Sequence, residues 1–289
     1  MKNNETDECV RVSVIIPCYN DGAYIPDAVD SIKRQTFTDY EIVVINDGST
    51  DKTTMDVLKQ LEGNGVRVLH KKNEGVSTAR NYGITRSAGE YILTLDADDK
   101  FSESFMERAV KILDDNTEIG CVTCYAQYFG INTRHIRKPE EPAIADILNE
   151  SYIDGSLMYR RQCWIDAGGY DTELEGVEDW DFIICVIEKG WKIHVIPEPL
   201  FYYRVTQKSL YENTRYKKPK QMKRIVENHL ELYQQHVADC IYEREKKIQD
   251  LELKLTEFSK AYQNSWNYKI GRTVLSPFRK IFRNFHNRK

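Results

Sequence analysis

Short apolar runs alternate with amphipathic stretches through the first half of the chain. Residues 12–17 are apolar except for Ser13, which predicts a buried strand. Residues 23–35 put Ile25, Ala28, Val29 and Ile32 on one helical face, behind Asn20 and Asp21 as cap residues. Residues 41–46 read as a second strand, and 53–61 as a helix capped by Asp51. A third strand is expected at 66–70, a third helix at 76–87 and the next strand at 91–95. A helix follows over 102–113, with Phe105 where a full capping box starting at Ser102 would carry Glu or Gln. Residues 119–129 form another strand. Regular β–α alternation predicts the α/β class, with a mostly parallel sheet covered by helices. In such sheets ligands sit beyond the carboxyl ends of the strands, where Asp47-Gly48 and Asp96 to Asp99 fall.

The second half is less regular. Residues 134–142 are polar, contain two prolines and are expected to be a mobile loop. Residues 154–159, 163–169 and 178–189 are mixed elements, and 192–205 read as a strand pair interrupted by Pro197 and Pro199. His194, inside that strand, is structural. Beyond about Tyr211 come Arg215, Lys217, Lys218, Lys220, Lys223 and Arg224, a basic patch. A heptad then runs from Leu230 through Val237, Ile241, Ile248, Leu251, Leu255 and Phe258 to Tyr262, interrupted by Gln234 and Arg244. It predicts a C-terminal helical extension and favours self-association as a coiled coil over packing against its own domain. Residues 266–289 carry seven basic residues and no acid, interleaved with Trp266, Phe278, Phe282 and other large apolar residues, with Pro277 as a kink. That composition suits the surface of a membrane better than a packed helix. The expected division is a nucleotide-binding domain over 1–211, a basic linker and heptad helix over 212–262, and a basic amphipathic tail over 263–289.

Composition narrows the class. Apolar content of 41% and charged content of 30% over 289 residues fit a globular domain with a charged appendage, and the net charge of −4 argues against nucleic-acid binding. Seven scattered cysteines point to reduced thiols in the cytoplasm. Cys121 and Cys124 form a lone CxxC inside an apolar run and read as packing residues. The polar N-terminus shows no signal peptide, and no apolar run is long enough to span a bilayer. The expected location is therefore cytoplasmic, peripheral to the inner face of the membrane.

The densest chemistry lies where the strand at 91–95 empties into Asp96-Ala97-Asp98-Asp99. Clustered carboxylates at the exit of a buried strand repel one another unless a cation sits between them. Asp96 and Asp98 are two apart, so on an extended chain they point the same way. Hard oxygen ligands of this kind suit Mg²⁺ or Mn²⁺, which commonly also holds phosphate oxygens. An acidic turn capping the next helix is the plainer alternative.

Four pieces occur in a set order: Val14-Ile15-Ile16-Pro17-Cys18-Tyr19-Asn20; Val43 through Asn46-Asp47-Gly48 to Asp51; Asn73-Glu74-Gly75 leading to Arg80-Asn81; and Asp96 to Asp99. Together they resemble the inverting family 2 glycosyltransferases of the GT-A fold, bacterial polysaccharide type. The resemblance extends to about Val205, with Gly168-Gly169-Tyr170-Asp171 and Glu178-Asp179-Trp180-Asp181 as later landmarks, and leaves out the tail. It implies a nucleotide-sugar donor, uridine-linked, and a glycan or lipid-linked acceptor, the basic tail motivating the lipid. The turn at Pro17, Tyr19 and Asn20 would meet the nucleobase and ribose, and Asp47 would accept from a uracil-type N3–H. Arg80 would reach the base or the phosphates; its plainer reading is a solvated helix face. Asp96, with Ala97 beside it, would hold ribose hydroxyls or a metal-bound water. Asp98 would be the metal ligand, and Asp99 would stiffen the turn. The resemblance places the base that deprotonates the acceptor in the Glu178–Asp179 pair, with Asp179 the choice. Gly155, Glu178 and Trp180 would lie on the acceptor side, where Trp164 and Trp180 offer either a sugar platform or core packing. Many relatives carry a histidine near Thr206, so here Arg204 and Lys208 would take the phosphate contact.

Two other classes remain. A nucleotidyltransferase would want a Gly-rich basic first loop, but 11–22 holds one basic residue and one glycine. A non-catalytic scaffold would use the heptad helix to gather partners. A processive synthase is disfavoured, because no transmembrane helix or Gln-x-x-Arg-Trp segment is present.

Overall fold

The computed structural model describes residues 10–140, 142–206, 218–265 and 268. It divides into two compact units, Met1–Gln235 and His236–Lys289.

In the first unit, β1 (Val12–Cys18) is buried along its whole length because it lies inside the sheet. It pairs in parallel with β2 (Tyr40–Asp47) on one side and β4 (Tyr91–Thr94) on the other. β3 (Arg67–Lys71) extends the sheet beyond β2, also in parallel. Past β4 the order continues with β8 (Met158–Arg160), β6 (Ile119–Gly130), β9 (Lys192–Val205) and the short β5 (Lys100–Phe101), while β7 (His135–Ile136) pairs with β6. β8 is antiparallel to both β4 and β6, and β6 is parallel to β9, so the sheet is mixed but mostly parallel.

Helices cover the faces. Val12, Val14 and Ile16 share a core with α1 (Ile25–Lys33) and α4 (Phe105–Asp115). The opposite face carries α3 (Val76–Thr85), which lies so close that a Cβ on Gly83 would fall 2.5 Å from Ile45 Cδ1; only glycine permits that approach. α2 (Lys52–Gly63) begins at Asp51, whose side chain accepts from Thr54 N–H, as expected of an N-cap. α5 (Ile144–Asn149), α6 (Arg161–Ala167) and α7 (Glu178–Glu188) follow, then α8 (Lys218–Asn228) and α9 (Leu230–Gln235). The second unit carries α10 (Val237–Asn264).

Several local expectations need correction. α1 starts at Ile25 with Tyr24 at the cap position and Pro26 in its first turn, so Asn20 and Asp21 do not cap it with their side chains. α4 starts at Phe105, and Ser102 contributes its carbonyl oxygen, not a hydroxyl cap. Residues 192–205 form one strand rather than two: register shifts opposite Tyr125 absorb Pro197 and Pro199 while pairing with β6 continues. The loop at 134–142 is tied down, because β7 pairs with β6 and the buried Lys138 ammonium reaches Thr123 Oγ1 at 3.1 Å and Asp154 Oδ2 at 2.7 Å. Within the basic patch, Arg224 is paired with Asp171 and Glu173 rather than free. The heptad is also broken: α9 ends at Gln235 and α10 begins after His236.

Cys121 and Cys124 are fully buried in β6, as packing residues should be, and the described cysteines are free thiols. Among the described residues no helix is long and apolar enough to cross a membrane.

Candidate functional site

The carboxyl ends of β1, β2 and β4 lie side by side, and each delivers polar residues to one corner. At the end of β2, the buried Asp47 carboxylate accepts from Lys71 Nζ at 2.6 Å, Glu74 N–H at 3.1 Å and Gly75 N–H at 2.9 Å. Asp47 thus braces the turn that starts α3. Lys71 stands directly opposite Asp47 in the β2–β3 register, a juxtaposition visible only once the strands are paired. Burial pulls the Lys71 ammonium down, but its bonds to Asp47 and Glu74 win and hold it above its usual value.

At the end of β1, Pro17 is buried, Tyr19 is 45% exposed and Asn20 adopts a left-handed backbone with φ of 60°. Asn20 Oδ1 accepts from the N–H groups of Thr50 and Asp51, at 2.8 and 3.1 Å. Its side chain therefore fastens the β1 turn to the β2–α2 turn, a use that outcompetes capping α1.

The acidic corner follows β4. Burial, with Asp96 and Asp21 nearby, pushes the Asp98 carboxyl up to about 7. Asp99 is buried and accepts from the Arg204 N–H at 2.7 Å, which stiffens the turn as expected; burial and the charges of Asp98 and Asp96 raise it well above an ordinary carboxylate. Ala97 is buried between these acids, and Asp96 N–H donates to Ser156 Oγ. Carboxylates gathered at one strand exit offer oxygen ligands of the kind that hard divalent cations take.

Arg204 is not a solvent-facing cation. Its Nε donates to Asp98 O, its Nη2 pairs with Asp27 at 2.8 Å, and its guanidinium lies over Tyr24 and Phe129. It ties the end of β9 to the acidic corner, so the phosphate role expected of it is already contested by these contacts. Lys208 lies outside the described residues.

Arg80 changes most on folding. It is 2% exposed, not on a solvated helix face, and its two amino ends are occupied by Asp96 Oδ1 at 2.7 Å and Glu178 Oε1 at 2.8 Å. Burial works against its charge, but Asp96 and Glu178 outweigh it and hold the guanidinium ionised. Arg80 therefore couples the acidic corner to the start of α7, rather than presenting a free hand to base or phosphate.

Glu178 is buried, and its second oxygen accepts from Gly176 N–H. Asp179 next to it is partly exposed, accepts from Trp180 N–H at 2.8 Å, and forms no ion pair among the described residues. Burial and the Glu178 charge push it up to about 7, against the pull of Arg80. Of two adjacent carboxylates, one is locked to a cation and the other is left partly exposed with a proton affinity near neutrality. That division suits a general base. Gly155 packs against both groups: a Cβ there would come within 3.1 Å of Arg80 Nη2 and 3.4 Å of Asp179 Oδ2. Trp180, in contrast, is 2% exposed and donates its indole N–H to Ile147 O; it is a core residue, so the sugar-platform expectation is corrected. Trp164 is likewise committed, to Asn81 Oδ1, which also takes Tyr170 N–H.

On α7, a turn beyond Asp179, Asp181 Oδ1 and Cys185 Sγ approach His229 Nε2 at 3.1 and 4.0 Å, and Glu188 meets Nδ1 at 2.7 Å. The Asp, Cys and His ligand atoms lie within 4.8 Å of one another, a spacing that a metal ion could also use. Burial lowers the imidazole, but its bonds to Asp181, Cys185 and Glu188 raise it to about 10, so an imidazolium supplies the positive charge. This cluster carries only one Asp, which sits outside the Asp96–Asp98 corner. No motif in the sequence announced it, since its members lie 48 positions apart.

The curled, mostly parallel sheet with carboxylates at its strand exits is the GT-A glycosyltransferase fold. The mannosyltransferase PcManGT of Pyrobaculum calidifontis, solved with GDP-Man and Mn²⁺, superposes with a TM-score of 0.60 over 92% of this chain and 84% of that one, at 18% identity. TarS 1-349 of S. aureus, solved with UDP, superposes at 0.58 over 71% and 63%, at 23% identity. Residues 13–170 match the glycosyl transferase family 2 model, and the chain belongs to that family. The glycosyltransferase EpsJ of Bacillus subtilis (strain 168) is 30% identical over 219 residues, covering 70% of this chain and 63% of its own length. The chain thus spans less than two thirds of that relative.

Proposed function

We propose that the protein transfers one sugar, with inversion, from a uridine-linked nucleotide-diphosphate donor to a glycan or lipid-linked acceptor during surface polysaccharide assembly. The observation that carries this reading is the split between ion-paired Glu178 and unpaired Asp179 at the start of α7, joined through Arg80 to the acidic corner. Asp179 takes the proton of the acceptor hydroxyl as that oxygen bonds to the anomeric carbon and the bond from that carbon to the phosphate oxygen breaks. The nucleoside diphosphate departs with the electron pair. Asp98 and Asp96 would hold Mg²⁺ or Mn²⁺, which when bound offsets the diphosphate charge. The Mn²⁺ of PcManGT supports a divalent cation, its GDP-Man supports a nucleotide-diphosphate sugar without selecting the base, and the UDP of TarS supports uridine. Pro17, Tyr19, Asn20 and Asp47 line the nucleotide end through the turns they build. Gly155 and Glu178 back the acceptor side. Arg204 contributes by holding the corner.

Asp179→Asn is expected to lower sugar transfer by about 10²-fold or more while donor binding persists. Nucleotide release on mixing donor and acceptor measures the first, and a thermal-shift screen of nucleotide sugars with and without Mn²⁺ measures the second and names the donor. Full turnover by Asp179→Asn would overturn the assignment of the base. Donor binding by the wild type without any turnover would favour a scaffold.

A further inference from the structure

α10 is 28 residues long, about 42 Å of helix. Counting from Ile241, its apolar residues follow a seven-residue repeat: Ile241, Ile248, Leu255 and Tyr262 at the first core position, Leu251 and Phe258 at the second. These six are 42–70% exposed. A stripe of this width on a long helix asks for a cover.

The flanking charges select the cover. Lys247 and Lys254 precede the first core position of their heptads, and Glu245 and Glu252 follow the second. When two copies run parallel and in register, the residue before one core position faces the residue five places later in the other copy. Lys247 then meets Glu252 of the second copy, and symmetry makes this pair twice. An antiparallel pair would set Lys against Lys and Glu against Glu. In the central heptad, Ile248 at the first core position with Leu251 at the second also favours two strands. Arg244, at a core position, has a stem long enough to lie along the seam and place its guanidinium beside Glu245 of the second copy.

We propose that α10 joins α10 of a second copy as a parallel, in-register, two-stranded coiled coil, independently of sugar transfer. Sedimentation equilibrium of the full chain is expected to give a concentration-dependent mass approaching twice the 33.8 kDa chain. Lys247→Glu should weaken association about fivefold, and adding Glu252→Lys should restore it. Phe258→Cys should cross-link within the dimer on mild oxidation, while the wild type with its native cysteines does not, because an antiparallel pair of this helix would set the two 258 positions about 22 Å apart along the axis. A one-chain or three-chain mass at every loading overturns the proposal. So does association strengthened by Lys247→Glu, or a weakening that Glu252→Lys fails to reverse. Should Phe258→Cys itself impair pairing, the charge swap decides the orientation alone.

Discussion

Arg80 shows what burial does to a single residue. On the bare sequence it is one basic position in a helix; folded, it is a buried cation held by two carboxylates from different parts of the chain. Removing it leaves Asp96 and Glu178 uncompensated, so Arg80→Met should cost about 3–5 kcal/mol, read as a lower urea midpoint. The same circuit sets the chemistry of Asp179. With its carboxyl near 7, transfer per free enzyme should climb as pH rises through about 7, where the base loses its proton. Glu178 is one reason the value is high, so Glu178→Gln should move that acidic limb to lower pH. A pH profile of kcat/KM for both proteins tests it; an unmoved limb would separate Glu178 from the base. The residue types were legible in advance, but not the pairing that distinguishes Asp179 from its neighbour. That pairing joins positions 80, 96 and 178, which no local spacing connects.

At the scale of elements, periodicity served well wherever a strand or helix is buried on a regular face. β1, β2, β4 and α2 fall close to where the apolar pattern put them. It failed where tertiary contacts decide. The split expected at Pro197 does not occur because β6 continues to supply hydrogen-bond partners past the bulge. α8 docks on α7 through His229, Asp181 and Glu188, an arrangement with a testable pH signature. The folded His229 value of about 10 exceeds the ordinary imidazole value of about 6.5. The clamp therefore contributes fully below pH of about 6.5 and is lost as pH rises through about 10. Thermal melts of wild type should fall across that window more steeply than those of His229→Gln; parallel curves would show that the imidazolium adds nothing to stability.

For the whole molecule, the sequence carries an expectation that falls almost wholly outside the described residues: the basic, aromatic-rich segment 266–289 as a membrane-surface anchor. Deleting it should move the enzyme from the membrane fraction to the supernatant without loss of soluble transfer; unchanged partition would remove the anchor. The linear order of apolar and polar residues was enough to determine the α/β class and to set a cluster of carboxylates at the exit of β4. Both follow from short-range periodicity. Which carboxylate is neutralised by Arg80, which tryptophans are spent on the core, and how Arg204 is consumed were settled only in three dimensions. Those outcomes depend on burial and on contacts between distant segments, and desolvation changes the meaning of a charged residue more than its neighbours in the chain do.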